Sequence, residues 1–167
     1  MPKTSSGLLM YKFENNKLKV FLIHPGGPFW EHKDNGVWGI PKGEQDDLNH
    51  ELLEVAKREF MEESGIEIPK DTKFISLGNI KQKNKKIVHA WGFENNDSFK
   101  FECKSFVKRM HNDRMIEFCE VNDGKFFEVN EAKEKILDRQ WELVERLLKE
   151  LNITINKDKN FKQTKLL

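Results

Sequence analysis

The stretch from Pro41 to Gly65 constrains this chain more than any other, because irregular backbone gives way to helix within a few residues. Pro41-Lys42-Gly43 cannot sit inside a regular element: proline lacks an amide hydrogen and glycine is conformationally permissive. Beyond it, Leu53, Ala56 and Phe60 recur at three and four residues, which predicts a helix over Asn49 to Ser64 with one apolar stripe for a core. Gly65 is the stop expected just past the last helical residue, where a left-handed backbone is needed. On that helix Glu59, Glu62 and Glu63 stand at i, i+3 and i+4, so three carboxylates share one face. Like charges one turn apart repel, so the cluster is either a solvated face or a set of oxygen ligands for a cation, with Arg58 as the local counter-charge. Oxygen ligands of this kind suit magnesium, with manganese as the alternative.

Around this segment the pattern is that of strands. Leu9, Tyr11 and Phe13 alternate, then Val20 and Leu22 with Phe21 and Ile23, and Glu14-Asn15-Asn16-Lys17 between them reads as a hairpin turn. His24-Pro25-Gly26-Gly27-Pro28 must be a shaped loop, continuing through Asp34-Asn35-Gly36 to an extended Val37-Trp38-Gly39-Ile40. Strands are expected again at Thr72 to Ile80, Lys86 to Phe93 and Lys125 to Val129, implying a mixed sheet. A helix over Glu131 to Leu151, with Asn130 as N-cap, carries a stripe of Ile136, Leu137, Gln140, Trp141, Val144, Leu147, Leu148 and Leu151. That stripe is too wide for a coiled-coil seam, so packing against the sheet is its expected role. The domain is expected over residues 1–151, with 152–167 as a Lys- and Asn-rich tail.

Composition narrows the classes. A chain of 167 residues, 37% hydrophobic and 34% charged with 13 Phe and 4 Trp, has the makings of one core. Its net charge of +1 offers no global field for a nucleic-acid backbone, so an anion site must be local. The N-terminal residues lack a secretory pattern, no segment is apolar enough to span a membrane, and Cys103 and Cys119 are too isolated for a disulfide framework or a zinc site. Each is expected to be a small packed side chain, and the compartment to be the cytoplasm.

Arg58-Glu59-Phe60-Met61-Glu62-Glu63-Ser64-Gly65-Ile66 and the preceding Gly43 give the chain its resemblance to the Nudix hydrolases. It fills the second half of that family's box. In the first half, the interval from Gly43 to Arg58 is one residue longer than the pattern, and His50 stands where the family has a glutamate, with Glu51 as its neighbour. Trp38-Gly39-Ile40-Pro41-Lys42-Gly43 is similar to the Trp-x-x-Pro-Lys-Gly segment of family members acting on dinucleoside polyphosphates. With His24 to Trp30 and Val88-His89-Ala90-Trp91, the chain resembles a bacterial branch of Nudix pyrophosphohydrolases.

The resemblance implies an α/β/α sandwich around a central mixed sheet. It also implies Glu59, Glu62, Glu63 and a carbonyl at Gly43 as ligands of magnesium or manganese, and Arg58 as the residue that orients the carboxylates. A further carboxylate, Glu120 or Glu117, would come from a loop before the last strand. Lys42 and Gly43 would meet the phosphates, with Arg114 beside them. His24 and Trp30 are candidates to flank a base or sugar, rim packing being the alternative for Trp30. For His89 and Trp91 burial is the simpler expectation, and Lys81, Lys83, Lys85 and Lys86 read as a solvated turn.

The implied reaction is Mg-dependent hydrolysis of a phosphoanhydride bond in a nucleoside diphosphate-linked substrate, a dinucleoside polyphosphate or nucleoside triphosphate first. Removal of a 5′ diphosphate from RNA, and a non-catalytic nucleotide-binding domain, are the alternatives. The expected partner is a small nucleotide or polyphosphate.

Overall fold

The computed structural model describes residues 3–46, 50–155 and 163–165. Strands β1 (Thr4–Glu14) and β2 (Lys17–Pro25) form the expected hairpin, with Asn15 and Asn16 both at positive φ, 53° and 61°. Asparagine tolerates that conformation, and a two-residue turn of this hand matches strand twist. Strand β3 (Lys42–Glu44) pairs with β1 and delivers the chain to helix α1 (Leu52–Ser64). The expected helix start at Asn49 lies outside the described residues; among those described, α1 begins after Glu51, whose side chain makes no cap. Its end is as expected, with Gly65 at φ 72° and its amide bonded to the Met61 carbonyl at 2.9 Å.

Strands β4 (Ile75–Lys81) and β5 (Ile87–Glu94) follow, joined by a short 3₁₀ turn at Lys83–Lys85. Then come β6 (Phe106–His111), β7 (Arg114–Cys119) and β8 (Val121–Glu128). The main sheet runs β4-β5-β1-β2-β8, with β1 and β5 parallel and the other pairs on that path antiparallel, which makes it mixed. β6 and β7 stand apart as a two-stranded hairpin.

Two corrections concern the second half. Arg114 to Glu120, read from sequence as loop, is largely strand β7. The single helix over Glu131–Leu151 is instead α2 (Val129–Lys135) and α3 (Asp138–Glu150), interrupted by extended backbone at Ile136 and Leu137. The N-cap of α2 is Glu128 rather than Asn130. The cause of the break lies far away in sequence. The Trp38 amide donates to the Lys135 carbonyl at 3.0 Å and the Leu137 amide to the Trp38 carbonyl at 2.8 Å, so the Val37–Ile40 segment takes hydrogen bonds that helix continuation would use.

Both faces of the sheet are covered. Leu8, Met10, Phe21 and Ile23 point to one side and pack on Ala56 and Phe60 of α1; Leu9, Tyr11, Val20 and Leu22 point to the other, toward Ala132, Leu143, Val144 and Leu147. Strict alternation along β1 and β2 is what divides the core in two. The result is the expected α/β/α sandwich. Past α3, where a tail is expected from residue 152, the chain forms β9 (Ile153–Ile155), which pairs with β10 (Gln163–Lys165), and Ile153 is buried. Among the described residues no helix is long and apolar enough to cross a membrane.

Candidate active site

The last two turns of α1 face the β3 loop, and the contact between them is tight. A Cβ on Gly43 would lie 2.0 Å from the Glu59 carboxyl carbon, so only glycine lets the loop backbone rest against that carboxylate. One turn on, Glu63 is 4% exposed and its Oε2 accepts the Lys42 amide at 3.0 Å. Arg58 reaches both other carboxylates, with its Nη2 3.2 Å from Glu59 Oε1 and its Nε 3.9 Å from Glu62 Oε1. Glu59 is half-buried and Glu62 exposed. The interval between Gly43 and Arg58 closes on itself, with Gln45 Nε2 donating to the His50 carbonyl at 2.9 Å.

Electrostatics bind a fourth carboxylate to this group. Burial, and after it the Glu120 carboxylate and then Glu59, hold the Glu63 carboxyl well above the usual carboxylate range. Glu59 is raised first by burial, with Glu62 and Glu120 adding to the effect against the opposing Arg58 hydrogen bond. Lys42 is pushed the other way, below the usual lysine range, by burial and by Lys86, while Glu63, Glu44 and Glu120 oppose the shift.

Glu120 occupies the bend between β7 and β8, fixed by its amide on the Ser105 carbonyl at 2.8 Å and by Ser105 Oγ on its Oε2 at 2.8 Å. Glu117, the other sequence candidate, lies on the hairpin 3.9 Å from Lys108. Of the two, the structure brings Glu120 to the cluster.

A cavity of about 240 Å³ opens over Lys42, Glu63 and Glu120, walled by Trp30, Ile40, Gly39 and Gln140. A second, of about 450 Å³, shares Pro25, Trp30 and Glu120 with it and runs out between the Gly26–Trp30 loop and the β6–β7 hairpin. Together they make one cleft with an acidic inner end.

Other sequence candidates fall elsewhere. His24 is buried, its Nδ1 2.9 Å from Asn122 Oδ1 and its Nε2 2.5 Å from the Lys33 carbonyl, with its ring edge-on to Trp38. Both nitrogens are engaged within the protein and His24 lines neither arm of the cleft, so it braces the loop instead of flanking a base. Arg114 sits at the hairpin tip opposite His111 and lines neither arm of the cleft. Trp91 packs against the α1-side core. Cys103 and Cys119 are both unpaired, and the Cys119 thiol is pushed up to about 11 by burial and by Cys103.

Gln140 lies in the packing stripe as expected, but its contact with the cleft was not legible from sequence. It is fully buried, its Oε1 accepts the Ile40 amide at 2.8 Å, and its Nε2 has no partner among the described residues. A glutamine inside an otherwise leucine-rich helical stripe was the available signal.

Whether this donor set suits a divalent cation can be judged from its chemistry. The donors are all oxygen, and their negative charge is concentrated enough that Glu59, Glu63 and Glu120 disturb one another. Among the described residues no three His, Cys, Asp or Glu side chains are gathered as a closed metal cluster. The chemistry nevertheless fits a hard cation such as magnesium, which binds through a few carboxylates and keeps other positions for water and phosphate.

Comparison with known proteins agrees with this fold. The C. elegans Ap4A hydrolase, solved as a binary complex, superimposes with a TM-score of 0.64 at 20% identity, covering 88% of this chain and 97% of that one. The NUDIX domain of Shewanella oneidensis NrtR, complexed with ADP ribose, gives 0.61 at 16% identity, covering 90% and 89%. "Putative hydrolase 111R" of Invertebrate iridescent virus 3 is 37% identical over 67 residues, a match spanning 40% of this chain and 40% of that protein. The model of the NUDIX domain matches residues 3–147, nearly the whole sandwich with its Gly43 loop, the glutamates of α1 and Glu120. This chain belongs to the NUDIX domain family.

Proposed function

We propose that the protein is a magnesium-dependent pyrophosphohydrolase that cuts a phosphoanhydride bond in a nucleoside diphosphate-linked substrate, a dinucleoside polyphosphate or nucleoside triphosphate foremost. The observation that carries this is Glu63: a carboxylate buried at the floor of a cleft, facing Glu120 and Glu59, with the Lys42 amide on one oxygen. A purely structural acid in such a place would be expected to have a cationic side chain as its direct partner. Similarity to proteins titled an Ap4A hydrolase and an ADP ribose complex supports a nucleotide ligand.

Glu59, Glu62 and Glu63, with a carbonyl at Gly43, would hold the cation, which when bound supplies charge neutralisation for phosphate oxygens and a more acidic water. Arg58 orients the two carboxylates it touches. Lys42 lies in the wall of the inner cavity, and its ammonium would pair with the phosphate chain. In the reaction the water oxygen forms a bond to phosphorus, the bridging P–O bond breaks with its electrons leaving on the departing phosphate, and a carboxylate, Glu63 or Glu120, accepts the water's proton. Pro25, Trp30 and Ile40 limit water at the inner end. We place the enzyme in the cytoplasm, in keeping with its two unpaired cysteines.

The test is incubation with magnesium and a panel of diadenosine polyphosphates, nucleoside triphosphates and 5′-triphosphorylated RNA, products resolved by chromatography. Cleavage that requires the metal and is abolished by Glu63→Gln is expected. Nucleotide binding without turnover on the whole panel would show a binding domain instead.

A further inference from the structure

One short segment joins the two sources of carboxylates at the cleft. Backbone hydrogen bonds strap residues 102–105 to the end of α1, the Glu102 amide donating to the Ser64 carbonyl at 2.9 Å and the Lys104 amide to the Glu62 carbonyl at 2.8 Å. The same segment holds the bend between β7 and β8. There Ser105 accepts the Glu120 amide and donates its hydroxyl to Glu120 Oε2, both at 2.8 Å. Contact with α1 is so close that a Cβ on Gly65 would lie 2.3 Å from the Glu102 carbonyl oxygen. Residues 102–105 therefore set the spacing between the glutamates of α1 and the carboxylate of Glu120.

Both cysteines of the chain lie in this joint. Cys103 is in the middle of the strap, and Cys119 is the last residue of β7 and the immediate neighbour of Glu120. Although they are 16 residues apart in sequence, Cys119 Sγ donates to the Cys103 carbonyl at 3.5 Å, and its thiol also hydrogen-bonds the Cys103 side chain. Cys103 Sγ in turn donates to the Ser105 carbonyl at 3.2 Å, the oxygen that also takes the Glu120 amide. Both thiols are free and neither is sealed in the core. Thiols are weak donors, so these bonds hold the joint loosely while keeping the two side chains together.

We propose that Cys103 and Cys119 are a redox-sensitive pair, whose oxidation to a disulfide displaces Glu120 and slows the site. The co-reactant is a hydroperoxide. The Cys103 sulfur attacks a peroxide oxygen, the O–O bond breaks, and water or an alcohol leaves, with the sulfur oxidised to a sulfenic acid. Cys119 then attacks that sulfur. The S–S bond forms, the S–O bond breaks, and the departing hydroxide takes the Cys119 proton to leave as water. Two electrons pass from the thiol pair to the peroxide, and a reducing thiol returns them. Cys119 acts second because burial and Cys103 keep its proton in place. A disulfide needs its sulfurs about 2.0 Å apart, so the backbone at 103 and 119 must close and both S–H donors are lost. Ser105 and Glu120 move with it.

The effect on turnover rests on the hydrolase reading, but the bond and the displacement are read without substrate. The full chain is treated with hydrogen peroxide and followed by peptide mass mapping without reduction, by amide deuterium exchange, and by hydrolysis of whichever diadenosine polyphosphate or nucleoside triphosphate the reduced enzyme cleaves. Oxidation should give a linked Cys103–Cys119 peptide, altered exchange at the Lys104 and Glu120 amides, and a kcat roughly tenfold lower with KM moving less, all reversed by dithiothreitol. Cys103→Ser, alone and with Cys119→Ser, should keep the kcat of the reduced enzyme and lose the reversible response. Oxidation of the exposed Met110 and Met115 is distinguished because dithiothreitol does not reverse it and the serine variants share it. Thiols that stay free in peroxide, a linked pair with the kcat of the reduced enzyme, or a loss of activity shared by the serine variants would overturn the assignment. Failure of the hydrolase reading shows separately, as reduced wild-type protein that turns over nothing. In that case the linked peptide and the Glu120 exchange still decide for or against the pair.

Discussion

Helices α1 and α3 are of equal length, thirteen residues each, and cover opposite faces of one sheet, yet they are built on different terms. α3 buries Leu143, Val144, Leu147 and Leu148 with one amide, Gln140, which bonds the Ile40 backbone. α1 buries Val55, Ala56 and Phe60, and then, at the end that meets the cleft, the ionisable Glu63. Helix α3 stabilises mainly through apolar burial. The other gives up stability in its last turn to keep carboxylates close together, which is the usual relation between an active site and the fold that carries it.

The largest test of that contrast lies in α3. Leu147→Ala should lower unfolding free energy by about 2–5 kcal/mol in denaturant titrations while leaving kcat of the folded protein unchanged. A loss of kcat at full folding would place α3 in the chemistry. Next, Glu63→Gln should lower turnover roughly 10²-fold or more, with metal-free stability unchanged or higher. Activity near wild type would remove Glu63 from the site, and a marked loss of stability would make it a structural acid.

Lys42→Ala is expected to raise KM several-fold, more for longer phosphate chains than for short ones, through lost phosphate contacts. A KM profile that does not move would exclude Lys42 from binding. The smallest effect is a pH slope in the metal-free protein. Because the Glu63 pKa is raised on folding, its contribution is present below the unfolded glutamate value and is lost as pH rises from there through the folded value. Thermal midpoints of the metal-free wild type should therefore decline over that window more than those of Glu63→Gln, and equal slopes would contradict the burial argument.

What the sequence made legible was local. The Asn15-Asn16 turn, the stripe of α1, Gly65 and the spacing of Glu59, Glu62 and Glu63 each follow from neighbouring residues, and the structure has them all as read. The β6–β7 hairpin was missed because charges interrupt its alternation and neither face is deeply buried, although Asn112-Asp113, both at positive φ, marked its turn. The division of α2 from α3 was invisible for another reason: the apolar stripe runs through it, and the interruption is imposed by Trp38. His24 looked like a ligand-facing residue since nothing in its neighbourhood named Asn122, a partner distant in sequence.

The clasp between Trp38 and the α2–α3 junction ties the floor of the cleft to the far face of the sandwich. Amide groups of Trp38, Ile40 and Leu137 all donate across that seam, to the Lys135 carbonyl, the Gln140 side chain and the Trp38 carbonyl. In deuterium exchange they should open together, as one cooperative unit, and loosening the seam at Gln140 should unfasten the Lys42 loop along with the helix junction.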